Sequence, residues 1–509
     1  MYDVVIIGGG HNGLVAASYL AEKGLKVAVF ERREIIGGAC VTEELWKGVK
    51  VNTGAYVLSL FHKKIIEDLK LDELGLKVYV KEPGLYLPME NGKNLFIYSN
   101  KEKTLKEIEK FSRNDKVNYE KWLSFWNKYL PVFKHLMLSP PVSFYSLIDI
   151  SKKLGIKESD VDELLRIIAM DGKRLLDEFF ESEELKTALI EDAVVGANAS
   201  PSTPGTAYVL IHHNLGEVNG VQGAWGYIEG GMGELSRKLM KAAEIRGAEI
   251  FLGSEVEEIV LRRGEVRGVK IKGRLIEAKK VLSCIDPKST FLKLMKDQEY
   301  DEELSRKVRA IKAEGVACKM VGVLEELPNY NGLGTSLGPQ HIASTLIMPD
   351  IKYIEDSYRD YLNRGGSKMP WASINIQTSV DKTLAPQNLH VFSIFSQYLS
   401  YNAKEDIIKE FEDNLIEAVR RFAPNFNPIK KLFISTRDLE DRFGLYHGNI
   451  FHVEMTPDQI FNFRPIPELA NYVTPIKGLY LGGAGLHPGG GVTGCPGYNA
   501  AMKILEGLG

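Results

Sequence analysis

Gly8, Gly10 and Gly13 stand in the spacing G-x-G-x-x-G, with His11 and Asn12 inside it and an acid, Glu31, 23 residues beyond Gly8. Residues of these types in this order suit the gripping of a dinucleotide by backbone. Gly8 makes a tight turn, Gly10 lets a diphosphate approach the main chain, and Gly13 lets a helix pack close to a strand. Free amides at the start of that helix, at its positive dipole end, bind the diphosphate. The Glu31 carboxylate accepts hydrogen bonds from the ribose hydroxyls.

The flanking segments supply the elements such a grip requires. Asp3–Ile7 is a continuous run rich in β-branched residues, the pattern of a parallel strand buried on both faces. Leu14–Lys23 has helical periodicity with small Ala16 and Ala17, and Gly24 ends it. Leu25–Phe30 is a second strand that delivers Glu31 at its carboxyl end. A lone glycine pattern is weak evidence, and the chain carries a second: Gly489, Gly491 and Gly494. Only 15 residues follow Gly494, too few for another strand bearing an acid. The N-terminal copy alone has its full context.

Arg32 and Arg33 follow Glu31 and could read a 2′-phosphate, which would point to NADP. Gly37-Gly38-Ala39 comes directly after, however, and a glycine doublet there brings a second backbone loop onto a bound diphosphate, as long flavin dinucleotides require. The arginines then read as a solvated edge beside the adenine. No second complete dinucleotide unit exists midway along, as a two-Rossmann pyridine-nucleotide reductase would need. FAD is the expected cofactor.

Later segments carry a resemblance. Gly230-Gly-Met-Gly-Glu-Leu235 opens a helix reaching Arg246-Gly247, followed by a strand at 249–252 and a meander from Val256 to Cys284. The C-terminus reads Gly478-Leu-Tyr-Leu-Gly-Gly-Ala-Gly485, then His487-Pro-Gly-Gly-Gly491 and Val492-Thr-Gly-Cys-Pro-Gly-Tyr-Asn-Ala-Ala501. Together these resemble the amine-oxidase and phytoene-desaturase group of flavoproteins. Ser200–Ala207, Gly223–Tyr227 and Gly448–His452, with Asp458-Gln459 following, resemble its pyridine nucleotide-disulphide oxidoreductase domain-containing protein 2 subgroup. The similarity runs essentially from end to end.

The resemblance implies an α/β fold: a Rossmann-type FAD-binding domain, parallel sheet plus β-meander, with an inserted α+β substrate or cap domain. It implies contacts of Val256 with adenine, Gly483 with the diphosphate, and Val492, Thr493 and Gly494 as the start of a helix under the flavin. Pro496 suits that first turn, where no amide is lost to the helix ladder. A dipole end there would favour an anionic reduced flavin by ~1 kcal/mol. Many amine oxidases have an arginine after the glycine doublet; here Ala39-Cys40 follows instead. The subgroup's disulphide name finds no cysteine pair, because Cys40, Cys284, Cys318 and Cys495 lie far apart. Cys40 reads as an inert buried thiol.

The FAD-binding domain is expected to be discontinuous, 1–60, 225–290 and 465–509, with the cap built from 61–224 and 291–464. In the cap, Trp122, Phe125, Trp126, Tyr129 and Phe133 form one helical stripe, in a helix that Pro131 should kink. Core packing is the plain reading of the stripe; a tunnel wall or a peripheral membrane-docking face is the sharper one.

The resemblance and the lack of an evident acid–base dyad suit hydride transfer from a small apolar substrate, isoprenoid- or lipid-like, in a dehydrogenation or an isomerisation. An amine or amino-acid oxidase and a non-catalytic FAD-binding regulator are the alternatives. The electron acceptor stays open, with oxygen and a quinone as candidates, and so do the substrate and the oligomeric state. His452 and His487 read as structural hydrogen-bond partners, and the pair His212-His213 as core or hydrogen-bonded histidines. No helical metal-ligand spacing occurs, so no metal is expected. A net charge of -3 without basic runs argues against nucleic acid. No apolar run is long enough to span a membrane, and Tyr2-Asp3-Val4 reads as strand, not leader. A cytoplasmic location is expected.

Overall fold

Strand β1 (Tyr2–Ile7) is buried from Val4 to Ile7 and lies between two parallel partners. Val5 sits opposite Ala28 of β2 (Val27–Phe30) on one side and Val281 of the strand Arg274–Ser283 on the other. Burial on both faces is what its β-branched run requires. The computed structural model describes residues 1–507.

The first sheet has seven strands. Its order is Glu249–Phe251, β2, β1, Arg274–Ser283, Glu265–Ile271, Glu258–Arg262, with Leu479–Leu481 added in parallel to the end of Arg274–Ser283. That long strand does two jobs. Residues 274–277 close the antiparallel meander, and 278–283 enter the parallel layer beside β1. Helix α1 (His11–Glu22) packs against Gly233–Ile245 and Cys495–Glu506, so one apolar layer joins the two ends of the chain and its middle.

A second seven-stranded sheet, largely antiparallel, runs Lys430–Ile434, Ala317–Leu324, His390–Leu399, Gly366–Ile376, Ser344–Ile347, Leu85–Pro88, Asn94–Ile97. Every residue of its Ala317–Leu324 strand is buried. Helices Ile351–Arg364 and Glu405–Arg420 pack on this sheet. Between residues 101 and 213 lies a lobe of seven helices, from Lys101–Glu109 to Thr206–His213.

The aromatic stripe lies on helix Arg113–Met137, whose assignment continues unbroken through Pro131. Trp122, Tyr129 and Phe133 are buried, and Phe125 and Trp126 half-buried. Trp122 meets Phe179 and Phe180 edge-on at 5.1 and 5.7 Å, and Phe133 packs on Tyr208 at 6.0 Å. These are core contacts, and no stripe residue borders the main cavity. Trp122→Phe should therefore lower stability by about 1–2 kcal/mol, the cost of a partly emptied site. A lower urea midpoint at unchanged flavin content is the expected reading. No helix of the described residues is long and apolar enough to cross a membrane.

Candidate active site

The turn after β1 needs its glycines. Gly8 takes φ +97°, a left-handed conformation that side chains rarely adopt. A Cβ on Gly13 would collide with the carbonyl oxygen of Gly8, so the helix can approach the strand only without one. At Gly10 the surroundings are open: a Cβ would find only the Gly37 carbonyl oxygen, 4.0 Å away. The glycine doublet does bring a second loop onto this turn, since Gly37 N–H donates to Gly9 O at 3.0 Å and Gly10 bridges Gly37.

Helix α1 begins beside this opening with neither a capping side chain nor an acid in its first turn. Its first amides remain free for an anion. Glu31 is buried; its Oε2 accepts from Gly9 N at 2.9 Å and its Oε1 from Arg33 N at 2.9 Å. Both oxygens are thus oriented by main-chain donors and retain lone pairs for hydroxyls. Glu31→Gln should weaken flavin binding roughly tenfold, in line with loss of one charge-assisted hydrogen bond. Fluorescence titration of the apoprotein with FAD reads this directly.

Gly8, Gly10, His11, Asn12, Glu31, Gly37, Gly38, Ala39 and Val492 all line one cavity. It encloses about 1540 Å³ of atom-free space, its mouth included. Loops after the first sheet's strands line it, and so do Tyr56, Trp225, Lys319 and Phe395. Asn12 Oδ1 and His452 Nδ1 are buried on this wall without a protein partner. Burial pushes His11 down to about 4 and His452 to about 3, so both rings are neutral.

The remaining expected contacts do not border the cavity. Gly13 and Gly483 serve close packing: a Cβ on Gly483 would sit 2.7 Å from the carbonyl oxygens of Cys284 and Ile285. Val256 is buried in the core of the first sheet. Thr493 Oγ accepts from Cys495 N at 3.1 Å, and Gly494 is the N-cap of Cys495–Glu506; this pair shapes the helix start behind Val492. The Arg32 guanidinium donates to the carbonyls of Asp441 (2.7 Å) and Glu440 (3.3 Å), near the end of helix Thr436–Phe443, and stands beside Gly444 of the cavity wall without lining it itself. Cys40 lines the cavity, but burial pushes its thiol up to about 12, so it is unreactive. His487 is spent on Leu136 O at 2.8 Å.

Lys319 escaped the sequence reading. Its Nζ donates to Gly54 O and lies 4.7 Å from the centre of the Tyr56 ring, while burial holds its ammonium well below the usual lysine range. The signal was there: one lysine inside the apolar run Ala317-Cys-Lys-Met-Val-Gly-Val-Leu324. Tyr56, Trp225 and Phe395 carried no such signal, because only the tertiary fold brings them together.

Residues 13–337 match the sequence model of the flavin containing amine oxidoreductases. The chain belongs to that family. Pyridine nucleotide-disulfide oxidoreductase domain-containing protein 2 of Rattus norvegicus is 35% identical over 547 residues, spanning 100% of this chain and 94% of the relative. Phytoene desaturase (lycopene-forming) of Pseudescherichia vulneris is 25% identical over 535 residues, spanning 100% and 99%. A solved oxidoreductase structure from Methanosarcina mazei superposes with a TM-score of 0.62 at 17% identity, covering 99% of each chain, and so shares the fold. The protein is an FAD-dependent oxidoreductase of the amine oxidase and phytoene desaturase superfamily. The uncapped helix start, the open face of Gly10 and the oriented Glu31 carboxylate fit that cofactor.

Proposed function

We propose that the protein dehydrogenates or isomerises an apolar, isoprenoid- or lipid-like substrate held in the far half of the cavity. One observation carries the reading. Among the described residues, Glu31 is the only carboxylate on the cavity wall, and it lies at the nucleotide end with its oxygens on backbone amides. A substrate ammonium would be desolvated there with no counter-charge, at a cost of several kcal/mol. Aromatic and aliphatic faces, by contrast, accept a hydrocarbon without leaving polar groups unpaired.

The name of the Pseudescherichia relative, a phytoene desaturase, supports the same substrate class. The flavin, when bound, supplies the two-electron acceptor. The chain's share is to orient the substrate and exclude water. Lys319 ties the strand Ala317–Leu324 to the segment around Gly54, fixing that wall. Within this reading, the discontinuous 1–60, 225–290 and 465–509 unit carries the cofactor, and 61–224 with 291–464 forms the substrate cap. The cytoplasm remains its proposed location.

Anaerobic titration of the holoprotein with phytoene, squalene and primary amines tests the reading. Bleaching of the yellow chromophore by a polyene supports it. Bleaching by an amine alone overturns it in favour of an amine oxidase, and no bleaching by any of them overturns it in favour of a binding protein.

A further inference from the structure

His213 is the last residue of helix Thr206–His213 and borders the cavity, in the same wall as Phe451 and Gly491. Its Nδ1 lies 2.8 Å from the main-chain oxygen of Asp192, in helix Glu183–Val194. A carbonyl oxygen can only accept, so Nδ1 carries a proton, and in the neutral form of the ring the lone pair is at Nε2. No group among the described residues hydrogen-bonds Nε2. Nor is it one of the sealed, unpartnered nitrogens, as Nδ1 of His212, His452 and His487 are. His213 itself is buried, and it borders the cavity.

The surroundings hold the ring in this state. Phe451 packs against it with ring centres 5.9 Å apart, and the His212 ring stands edge-on at 5.9 Å. His212 is itself spent on Gly490 O at 2.8 Å, within the glycine segment that borders the cavity. The Asp192 carboxyl accepts from Asn214 Nδ2 at 2.9 Å. Among the other basic groups on the wall, Lys319 is tied to Gly54 O and His11 is at the nucleotide end.

We propose that His213 Nε2 is the proton acceptor for substrate oxidation in this cavity, which deepens the reading above and rests on it. Removing two hydrogens across a carbon–carbon bond breaks two C–H bonds and forms one π bond. One hydrogen leaves with its electron pair, for which the flavin is the acceptor. The other leaves as H⁺, and His213 Nε2 takes it to give an imidazolium with both nitrogens protonated.

Two measurements on the holoprotein test the proposal. Nitrogen-15 labelled histidine, with the His213 signal identified by its loss in His213→Asn, should show Nδ1 protonated and Nε2 bare; an Nε2-protonated tautomer overturns the assignment. Asparagine suits this because its amide can still donate to Asp192 O. Diethyl pyrocarbonate should modify His213 faster than the sealed His212 and His487, and squalene should slow that modification at least severalfold. An unmodified His213, or one that squalene leaves unprotected, overturns the proposal. Bleaching by a polyene, if found, should slow about 10²–10⁴-fold in His213→Asn at unchanged flavin content; an unchanged rate overturns it. A bare, reactive and squalene-protected Nε2 in a protein that no polyene bleaches would instead remove the underlying substrate reading.

Discussion

Gly10→Val yields a folded, colourless protein. Gly10 has φ −72° and ψ 171°, an extended conformation open to any residue, and no atom lies nearer than 4.0 Å to a Cβ built there. The substitution therefore leaves strand, helix and loop in place. The side chain would instead occupy the space through which a diphosphate reaches the first amides of α1. FAD affinity should fall at least ~100-fold, about 2.7 kcal/mol. Far-ultraviolet circular dichroism should be unchanged apart from the stability lost with the ligand. Gly13→Val makes the contrast, because its Cβ would collide with Gly8 O and disturb the fold itself. A yellow Gly10→Val protein with the full flavin complement would show that the diphosphate does not lie on this turn.

Arg464→Met should have the largest effect on stability. The guanidinium is fully buried and donates to six main-chain oxygens: Phe451, Val453, Glu454 and Gln459 from one loop, Ala484 and Leu486 from the other. Burial pulls its ionisation down to about 9, and the six acceptors, with no donor among them, hold the proton. Methionine fills much of the volume but leaves those carbonyls unpaired, at a cost of roughly 3–5 kcal/mol. Because Phe451, His452 and Ala484 also line the cavity, flavin retention should fall with the midpoint of thermal unfolding. Arg464→Lys should rescue little, since an ammonium offers three donors on a flexible stem where a planar five-donor fork is needed. A Met variant within 1 °C of the parent would sink this account.

The amino-acid sequence by itself determined the nucleotide half of the site. A buried β-branched strand, a glycine turn, an uncapped helix start and an acid at the end of the next strand are local features, each written within about thirty residues. The long strand Arg274–Ser283 was legible as the close of a meander for the same reason. The tertiary structure decided what depended on distant segments meeting. Arg32 beside Glu31 had the right charge for a nucleotide, and it is the end of a helix more than 400 residues away that engages its Nη2. Tyr56, Trp225, Lys319 and Phe395 share a wall only because segments far apart in the chain meet there. His213 looked like a core histidine, and it is hydrogen-bonded as expected. Its bare nitrogen is set by a carbonyl 21 residues earlier in the chain, a partner that helix packing chooses and that no spacing rule encodes.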